Sequence, residues 1–337
     1  MVIRRRRTPD PRAVGVTGAV DGLGGALRAR LSAHPDVVRA VPLDGPGAVP
    51  LDGLGTVVHL AVSYDAGAEP AARHERTVRS TADLLDSAVG AGVRRVVLVS
   101  STDVYAAPDG ALPAPEDLPL RAEPDSPLTA DLLELERLAE HGRLTGLDVV
   151  VLRPATLIGG PLGAAYDGAP LNSLGGQRLL AVRGVEPLWQ LCHTDDLLSA
   201  LELAATGALS GTAAVASAGW LTQREVEQLS GRRRLELPAG VALSTAERLH
   251  RARLSAGSPA ELGRLLHPLV VQTRRLEDAG WTPQWTAQLA LIAHLSERPA
   301  AGSGRASAAG ATAAGATVAL VGTAALVRRA RRRRRGR

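Results

Sequence analysis

A short apolar run that leads into three closely spaced glycines constrains the fold of this chain more than any other feature. Ala13–Thr17 has the composition of a buried strand, Gly18, Gly22 and Gly24 follow, and Leu23–Leu31 has the pattern of an amphipathic helix. Glycine lets the backbone bend tightly and approach a pyrophosphate without a Cβ in the way, while the amides of the helix N-terminus face the anion. Because the motif requires this strand and helix, we predict a dinucleotide-binding turn; the alternative is an ordinary strand-to-helix turn.

A second strand-like run, Val37–Leu43, ends at Asp44, which lies 20 residues after Gly24. An acidic side chain at this distance meets the adenosine ribose hydroxyls and repels a 2′-phosphate. We therefore expect NAD as the cofactor. Several arginines nearby leave NADP open as the alternative.

Charge is unevenly distributed along the 337 residues. The formal net charge is +5, but four of the arginines lie in Arg4–Arg7 and eight in Arg328–Arg337. The rest of the chain has 27 arginines and 34 acidic residues. This part of the protein is therefore acidic and is not expected to bind nucleic acid. The single cysteine, Cys192, excludes a disulfide framework and a cysteine-based metal site. Together with the absence of an apolar N-terminal signal segment, it favours the cytoplasm.

Apolar runs alternate with helical patterns from residue 12 to about residue 155. Such an alternation, with nearly continuous Val and Leu in the strands, predicts an α/β fold with a doubly wound parallel sheet covered on both faces. The link from Asp44 to Thr56 is too short for a full crossover helix, so one βα unit is expected to be missing. The remaining predicted elements are strands over Thr56–Val62, Arg95–Ser100 and Asp148–Leu152 and helices over Ala71–Ala91 and Leu128–Leu144.

Six segments, taken in order, carry a family resemblance. They are Thr17–Gly24, Val57–Ala61, Arg95–Tyr105, Leu152–Pro154, His193–Asp196 and Val271–Pro283. Together they resemble the extended short-chain dehydrogenase/reductase family, also called NAD-dependent epimerase/dehydratases, over about residues 12–296. The resemblance implies a Rossmann fold that binds NAD or NADP and a smaller C-terminal lobe that accepts a nucleotide-sugar. A homodimer is left open.

The resemblance also implies which residues contact the cofactor. They are Thr17, Gly18, Gly22, Leu23, Gly24, Asp44, Leu60, Ala61, Ser100, Arg153 and Pro154. The glycine spacing follows the classical branch of the family, because Asp21 occupies the usual middle-glycine position of the extended branch.

The catalytic residues of the family are only partly present. Ser101 matches the serine that positions the substrate hydroxyl. The family's proton-transfer Tyr and its Lys, which lowers the Tyr pKa and holds the nicotinamide ribose, align with Leu128 and Leu132, and a helical Asn aligns with Thr77. Leucine cannot move a proton. Two hypotheses follow: an epimerase, dehydratase or reductase with an unidentified acid/base group, or an inactive NAD(P)-binding sensor or scaffold.

Two other side chains near the expected site have ordinary structural interpretations. Tyr105 follows the strand that carries Ser101, and in the family it lines the site without donating protons. His59 lies at the carboxyl edge of the expected sheet within the family's common His-Leu-Ala motif. We interpret it as a structural contact near the cofactor.

The cluster of His193, Asp195 and Asp196 allows acid/base or metal chemistry. A helix cap is the favoured interpretation, with Thr194 or Asp195 starting a helix over Asp196–Ala205 and His193 buried nearby. No metal site is expected.

The sequence predicts four regions. They are a basic arm (residues 1–10), an NAD(P)-binding domain (11–158, with a return segment at about 187–217), a substrate lobe (159–298) and an Ala/Gly-rich, poly-Arg tail (299–337). Ala306–Val327 holds 22 residues without a charge, long enough to span a bilayer but weakly apolar. Three alternatives remain for the tail: disorder, a membrane-associated helix, or an arm whose arginines contact nucleic acid or anionic lipid, the latter at the inner face of the cell membrane.

Overall fold

A six-stranded parallel sheet forms the centre of the protein. The computed structural model describes residues 10–18, 22–43, 51–60, 69–108, 112–124, 126–160, 178–238 and 269–297. The strands of this sheet are β1 (Asp10–Thr17), β2 (Arg39–Pro42), β3 (Leu54–His59), β4 (Arg95–Val99), β5 (Asp148–Pro154) and β10 (Thr212–Val215). Their spatial order is β10-β5-β4-β3-β1-β2, with every neighbouring pair parallel.

This order confirms the expected α/β fold and, within the described residues, the absence of one βα unit after β2. In a complete sheet of this kind, the strand that follows β2 in the chain lies beyond β2 at the edge. Here the next described strand, β3, instead pairs with the opposite side of β1, so β2 is the edge strand of the described sheet. The strand predicted over Thr56–Val62 begins earlier, at Leu54, and ends at His59.

Helices cover both faces of the sheet. They are α1 (Leu23–Ala33), α2 (Pro70–His74), α3 (Ser80–Ala91), α4 (Pro127–Leu144), α5 (Thr194–Thr206), α6 (Gln223–Ser230), α7 (Arg274–Asp278) and α8 (Ala287–Glu297). Helix α1 packs against α5, and α3 packs against α4. The central strands are consequently buried on both sides, as Val57, Val97 and Val150 show with 0% exposure.

The helix predicted over Ala71–Ala91 is interrupted by a π turn at Glu75–Arg79. Two hydroxyls bond back to carbonyls four residues earlier: Ser80 Oγ donates to Arg76 O, and Thr81 Oγ1 donates to Thr77 O at 2.5 Å. Such bonds compete with the backbone ladder of a helix and favour a local widening. Hydrophobic periodicity does not reveal an interruption of this kind.

A second apolar cluster lies outside the central sheet. Its members include Ile158, Leu191, Leu221, Val226 and Leu291. Short strand pairs frame it, namely β6 (Thr156–Ile158) with β9 (Leu191–His193), β8 (Leu188–Trp189) with β11 (Leu221–Thr222), and β7 (Arg178–Val182) with β12 (Arg233–Leu237). Helices α6 and α8 contribute the remaining side chains of the cluster.

Candidate functional site

The glycines after β1 have backbone conformations that favour glycine. Gly18 has φ 102°, and a Cβ at this position would lie 2.7 Å from the carbonyl carbon of Leu60. Gly22 has φ 68° and ψ −131° and is the N-cap of α1, where it offers no side chain to the first-turn amides. Leu23 and Gly24 begin α1 and are buried. The end of β1 therefore passes close to the end of β3, and the N-terminal amides of α1 stay available to an anion.

Several predicted contact residues follow adjacent parallel strands at the same edge of the sheet. Thr17 is in register with His59, and the amide of Ser100 donates to Leu152 O at 2.8 Å. Pro154 ends β5 next to them. The carboxyl edge of such a sheet is where ligands bind in open α/β proteins. Asp44 and Ala61, by contrast, lie outside the described residues.

Ser101 lies at the same edge, directly after Ser100, and is 7% exposed. Its Oγ accepts a hydrogen bond of 3.1 Å from the amide of Asp103 and thereby caps a 3₁₀ turn over Thr102–Val104. This bond fixes the direction of the Ser101 side chain at the edge of the sheet.

His59 is almost fully buried between two hydroxyls. Its Nδ1 lies 2.6 Å from Thr17 Oγ1 and its Nε2 lies 3.4 Å from Ser80 Oγ. Burial lowers the pKa of His59 from 6.5 to about 4, so the ring is neutral near pH 7.

Arg153 is engaged within the protein. Its Nε donates to Glu136 Oε1 at 2.8 Å and its Nη2 donates to Glu136 Oε2 at 2.9 Å. Burial alone would lower the pKa of Arg153, but the hydrogen bonds and charge of Glu136 raise it overall. These two hydrogen bonds join Arg153 to α4, and its predicted contact with a cofactor remains a prediction.

The two leucines that align with the family's Tyr and Lys are apolar contacts of α4. Leu132 has 0% exposure and belongs to the main core, against which the partly buried Leu128 packs. Thr77, which aligns with the family's Asn, is fully buried in the π turn. None of these three side chains presents a group that titrates near neutral pH.

Asp131 lies between the two leucines in sequence and belongs to a charged cluster that sequence reasoning missed. The Asp131 carboxylate accepts a hydrogen bond from Arg73 Nε at 2.9 Å and lies 2.9 Å from His74 Nδ1. The side chains of Arg73 and Asp131 are 3% and 8% exposed. Since the partners are 58 residues apart in sequence, no local pattern predicts the pair.

Tyr105 is held by a loop contact. Its hydroxyl donates to Glu116 O at 3.1 Å, and burial raises the pKa of Tyr105. The carboxylate of Glu116 accepts hydrogen bonds from the amides of Ala214 and Arg275, both at 2.8 Å. Sequence reasoning missed Glu116, which joins the segment after β4 to β10 and α7.

The helix-cap interpretation needs a correction. Helix α5 begins at Thr194, and its N-cap is His193, whose Nδ1 accepts a 3.2 Å hydrogen bond from the amide of Asp195. The predicted caps, Thr194 and Asp195, are thus already within the helix. A ring nitrogen substitutes for the usual short oxygen cap because the buried ring is fixed by stacking on Trp285, with centroids 3.8 Å apart.

Asp196 joins two segments of the chain. Its Oδ2 accepts from Ser217 Oγ and its Oδ1 accepts from the amide of Gln284, both at 2.7 Å. The side chain is fully buried, and burial raises its pKa. No group of three or more His, Cys, Asp or Glu side chains is arranged to hold a metal ion within the described ranges.

Comparison with known proteins agrees with this geometry. A model of the NAD dependent epimerase/dehydratase family matches residues 49–214, from the approach to β3 through most of β10. The chain therefore resembles this family over just under half of its length. The family resemblance inferred from the sequence motifs is therefore confirmed, and the family is an NAD-dependent one.

Proteins similar to this chain match it over most of its length. An uncharacterized protein of Mycobacterium tuberculosis (strain ATCC 25618 / H37Rv) is 29% identical over 310 residues, covering 82% of this chain and 81% of the relative. UDP-glucose 4-epimerase of Thermotoga maritima, solved with UDP-glucose, has a TM-score of 0.61 at 17% identity, covering 84% of this chain and 97% of that chain. dTDP-glucose 4,6-dehydratase of Streptomyces venezuelae, solved with NAD and TYD bound, has a TM-score of 0.59 at 22% identity, covering 84% and 96%.

These structural similarities show that the protein has the expected Rossmann-type fold. The tail predicted to contact membranes lies outside the described residues. Within the described part of the chain, no helix combines the length and the apolarity that crossing a membrane requires.

Proposed function

We propose that this protein binds NAD along the carboxyl edge of its sheet and holds a nucleotide-sugar, or a related hydroxyl or carbonyl substrate, beside it. The observation that carries the proposal is the approach of Gly18 to Leu60, in a space that any Cβ would fill. A turn that leaves no room for a Cβ, followed by a helix N-terminus without a side-chain cap, suits a pyrophosphate group.

The residues present fit a dinucleotide. The backbone from Thr17 to Gly24 would hold the pyrophosphate, and Asp44 would accept hydrogen bonds from the adenosine ribose. NAD supplies a hydride acceptor when bound. Ser101, held by the amide of Asp103, would orient the hydroxyl or carbonyl of the substrate toward the same edge.

The substrate class rests on the solved structures with this fold. One of them is an epimerase solved with UDP-glucose, and another is a dTDP-glucose dehydratase. Most of the second apolar cluster, including Leu221, Val226 and Leu291, lies in the lobe in which the sequence predicts the substrate. We therefore propose UDP- or dTDP-linked sugars as the first ligands to examine.

One observation favours a second candidate function, that of an NAD-binding sensor or scaffold without turnover. Leu132 is fully buried in the main core, and Leu128 packs on the same core. A core position of this kind supports an apolar side chain and not a catalytic lysine.

The experiment that separates these functions measures binding and turnover on the same sample of full-length protein. Calorimetric titration with NAD and NADP is expected to show tighter binding of NAD. Asp44→Ala is expected to reduce the difference in affinity between the two dinucleotides. Asp52→Ala is the matched control because Asp52 is exposed. A failure to bind either dinucleotide would overturn the proposal. Turnover of a UDP- or dTDP-sugar by a protein that binds NAD would overturn the sensor alternative.

The tail suggests a further contact. We propose that the arginines of Arg328–Arg337 attract anionic lipid, since each arginine near such a surface contributes about 1 kcal/mol. We propose accordingly that the protein resides in the cytoplasm and associates with the inner face of the cell membrane.

A further inference from the structure

The buried ring of His59 bridges the phosphate turn and the π turn. Thr17, the last residue of β1, directly precedes Gly18, and its Oγ1 lies 2.6 Å from His59 Nδ1. On the other side of the ring, Ser80 Oγ lies 3.4 Å from Nε2. His59 is 2% exposed, so water does not replace these contacts.

The hydrogen bonds around the ring determine which nitrogen carries the proton. Ser80 Oγ donates its single proton to Arg76 O. It can therefore only accept from His59, which requires the proton on Nε2. Nδ1 then carries a lone pair and can only accept a hydrogen bond. In the short contact between these two residues, Thr17 Oγ1 is therefore the donor and His59 Nδ1 the acceptor.

We propose that His59 is a positioning residue for the phosphate turn, acting by holding the hydroxyl of Thr17 as a hydrogen-bond donor. The inference rests on the proposed binding of NAD. Because the Thr17 proton is used within the protein, Thr17 cannot donate it to a phosphate oxygen. The pyrophosphate must then be bound by backbone amides, whose direction depends on the orientation of the Thr17 side chain and backbone.

The π turn takes part in this arrangement. The hydroxyl of Ser80 lies directly after the π turn at Glu75–Arg79, and its bond to Arg76 O spans the wider turn. A residue inserted into a helix at a π turn rotates the side chains that follow it. The π turn thereby sets the position from which Ser80 Oγ accepts the hydrogen bond of His59 Nε2–H.

The test uses matched variants of the full chain and calorimetric titration with NAD. Thr17→Val keeps the shape but removes the hydroxyl, and Thr17→Ser keeps the hydroxyl. Thr17→Val is expected to weaken NAD binding about tenfold, the worth of one buried hydrogen bond, whereas Thr17→Ser stays within about threefold of wild type. His59→Leu is expected to weaken binding as Thr17→Val does. His59→Asn, whose amide oxygen accepts at the Nδ1 position, is expected to recover most of the affinity.

Equal NAD affinity of Thr17→Val and wild type, with unchanged thermal unfolding, would overturn the inference while leaving the proposed function intact. A wild-type protein that binds no dinucleotide would overturn both. If Thr17→Val does not fold, Ser80→Ala provides the test. It removes the hydrogen-bond acceptor of His59 Nε2, on the side of the ring opposite Thr17, and is expected to weaken NAD binding about threefold; unchanged NAD affinity would overturn the inference.

Nitrogen chemical shifts of the His59 ring test the direction of the Thr17–His59 hydrogen bond independently of NAD binding. We expect the neutral form protonated at Nε2. A ring protonated at Nδ1 would show that Thr17 is not the donor, and the inference would fail even with intact NAD binding.

Discussion

Arg153 and Glu136 form two parallel hydrogen bonds of 2.8 and 2.9 Å that join β5 to α4. Their side chains are 9% and 4% exposed. The guanidinium carbon of Arg153 also lies 4.7 Å from the centre of the Tyr105 ring, where a cation is favoured. Arg153 therefore holds the helix that carries Leu128 and Leu132 against the sheet.

Loss of one partner of this pair is expected to be costly. Glu136→Gln leaves the buried guanidinium without a counter-charge and is expected to lower the free energy of unfolding by about 3–5 kcal/mol. Urea denaturation measures it. The control is Glu134→Gln, which removes the partner of Arg137 in a pair whose side chains are 40% and 69% exposed, with an expected loss below about 1 kcal/mol. Similar losses for both variants would contradict a structural role of the buried pair.

Gly22→Val is expected to abolish NAD binding, because a side chain at the start of α1 would occupy the space of the pyrophosphate. Valine is also strained at φ 68°, so the variant is expected to unfold at a lower temperature. Gly146→Val is the control, since Gly146 has φ 91° and nothing within 4 Å of an added Cβ. It is expected to lose stability but to retain NAD affinity in the same titration. Retained NAD affinity in Gly22→Val would show that the turn does not hold the cofactor.

Turnover is expected to be weak or absent, because general acid–base catalysis contributes about 10²–10⁴-fold in rate and the aligned positions hold leucine. An assay with UDP- and dTDP-sugars measures it. Restoring the lysine is not expected to help: Leu132→Lys places an ammonium group in the core and is expected to cost more than about 2 kcal/mol. Leu144→Lys, at a position 78% exposed, is the neutral control. Robust turnover that Ser101→Ala does not reduce would show that the site lies elsewhere.

Stability is expected to depend on pH through His59. The unfolded chain binds a proton at His59 below about pH 6.5, whereas burial lowers the native pKa to about 4. The free energy of unfolding therefore falls as the pH drops from about 6.5 to about 4, by up to about 3 kcal/mol from this group. The raised pKa values of Glu116 and Asp196 act in the opposite direction. Denaturation of wild type and His59→Asn at several pH values isolates the His59 contribution, and parallel curves would contradict it.

Truncation after Pro299 is expected to leave the fold and NAD affinity unchanged but to remove binding to anionic vesicles. The full chain is expected to sediment with such vesicles less as salt rises, because salt screens the attraction of Arg328–Arg337 for lipid. An inserted helix would resist salt and require detergent. If the truncated chain sediments as well as the full chain, the tail is not the membrane contact.

Local sequence patterns were sufficient for the parts of the fold that depend on neighbouring residues. The apolar runs predicted the buried parallel strands, and the short link after Asp44 predicted the missing βα unit, because strand burial and crossover length are local properties. The glycines after Thr17 predicted a turn that the structure shows to have positive φ at Gly18 and Gly22. The order of the motifs predicted the family.

Contacts between distant segments were decided only by the tertiary structure. The Arg73–Asp131 pair and the contacts of Glu116 join residues that lie far apart in the chain, and no periodicity encodes such partners. The prediction of the α5 cap from the sequence was wrong, because His193 acts as a cap only where Trp285 fixes its ring. In the same way, the sequence contained His59, Thr17 and Ser80 as separate residues, and only folding brings their hydrogen-bonding groups into contact.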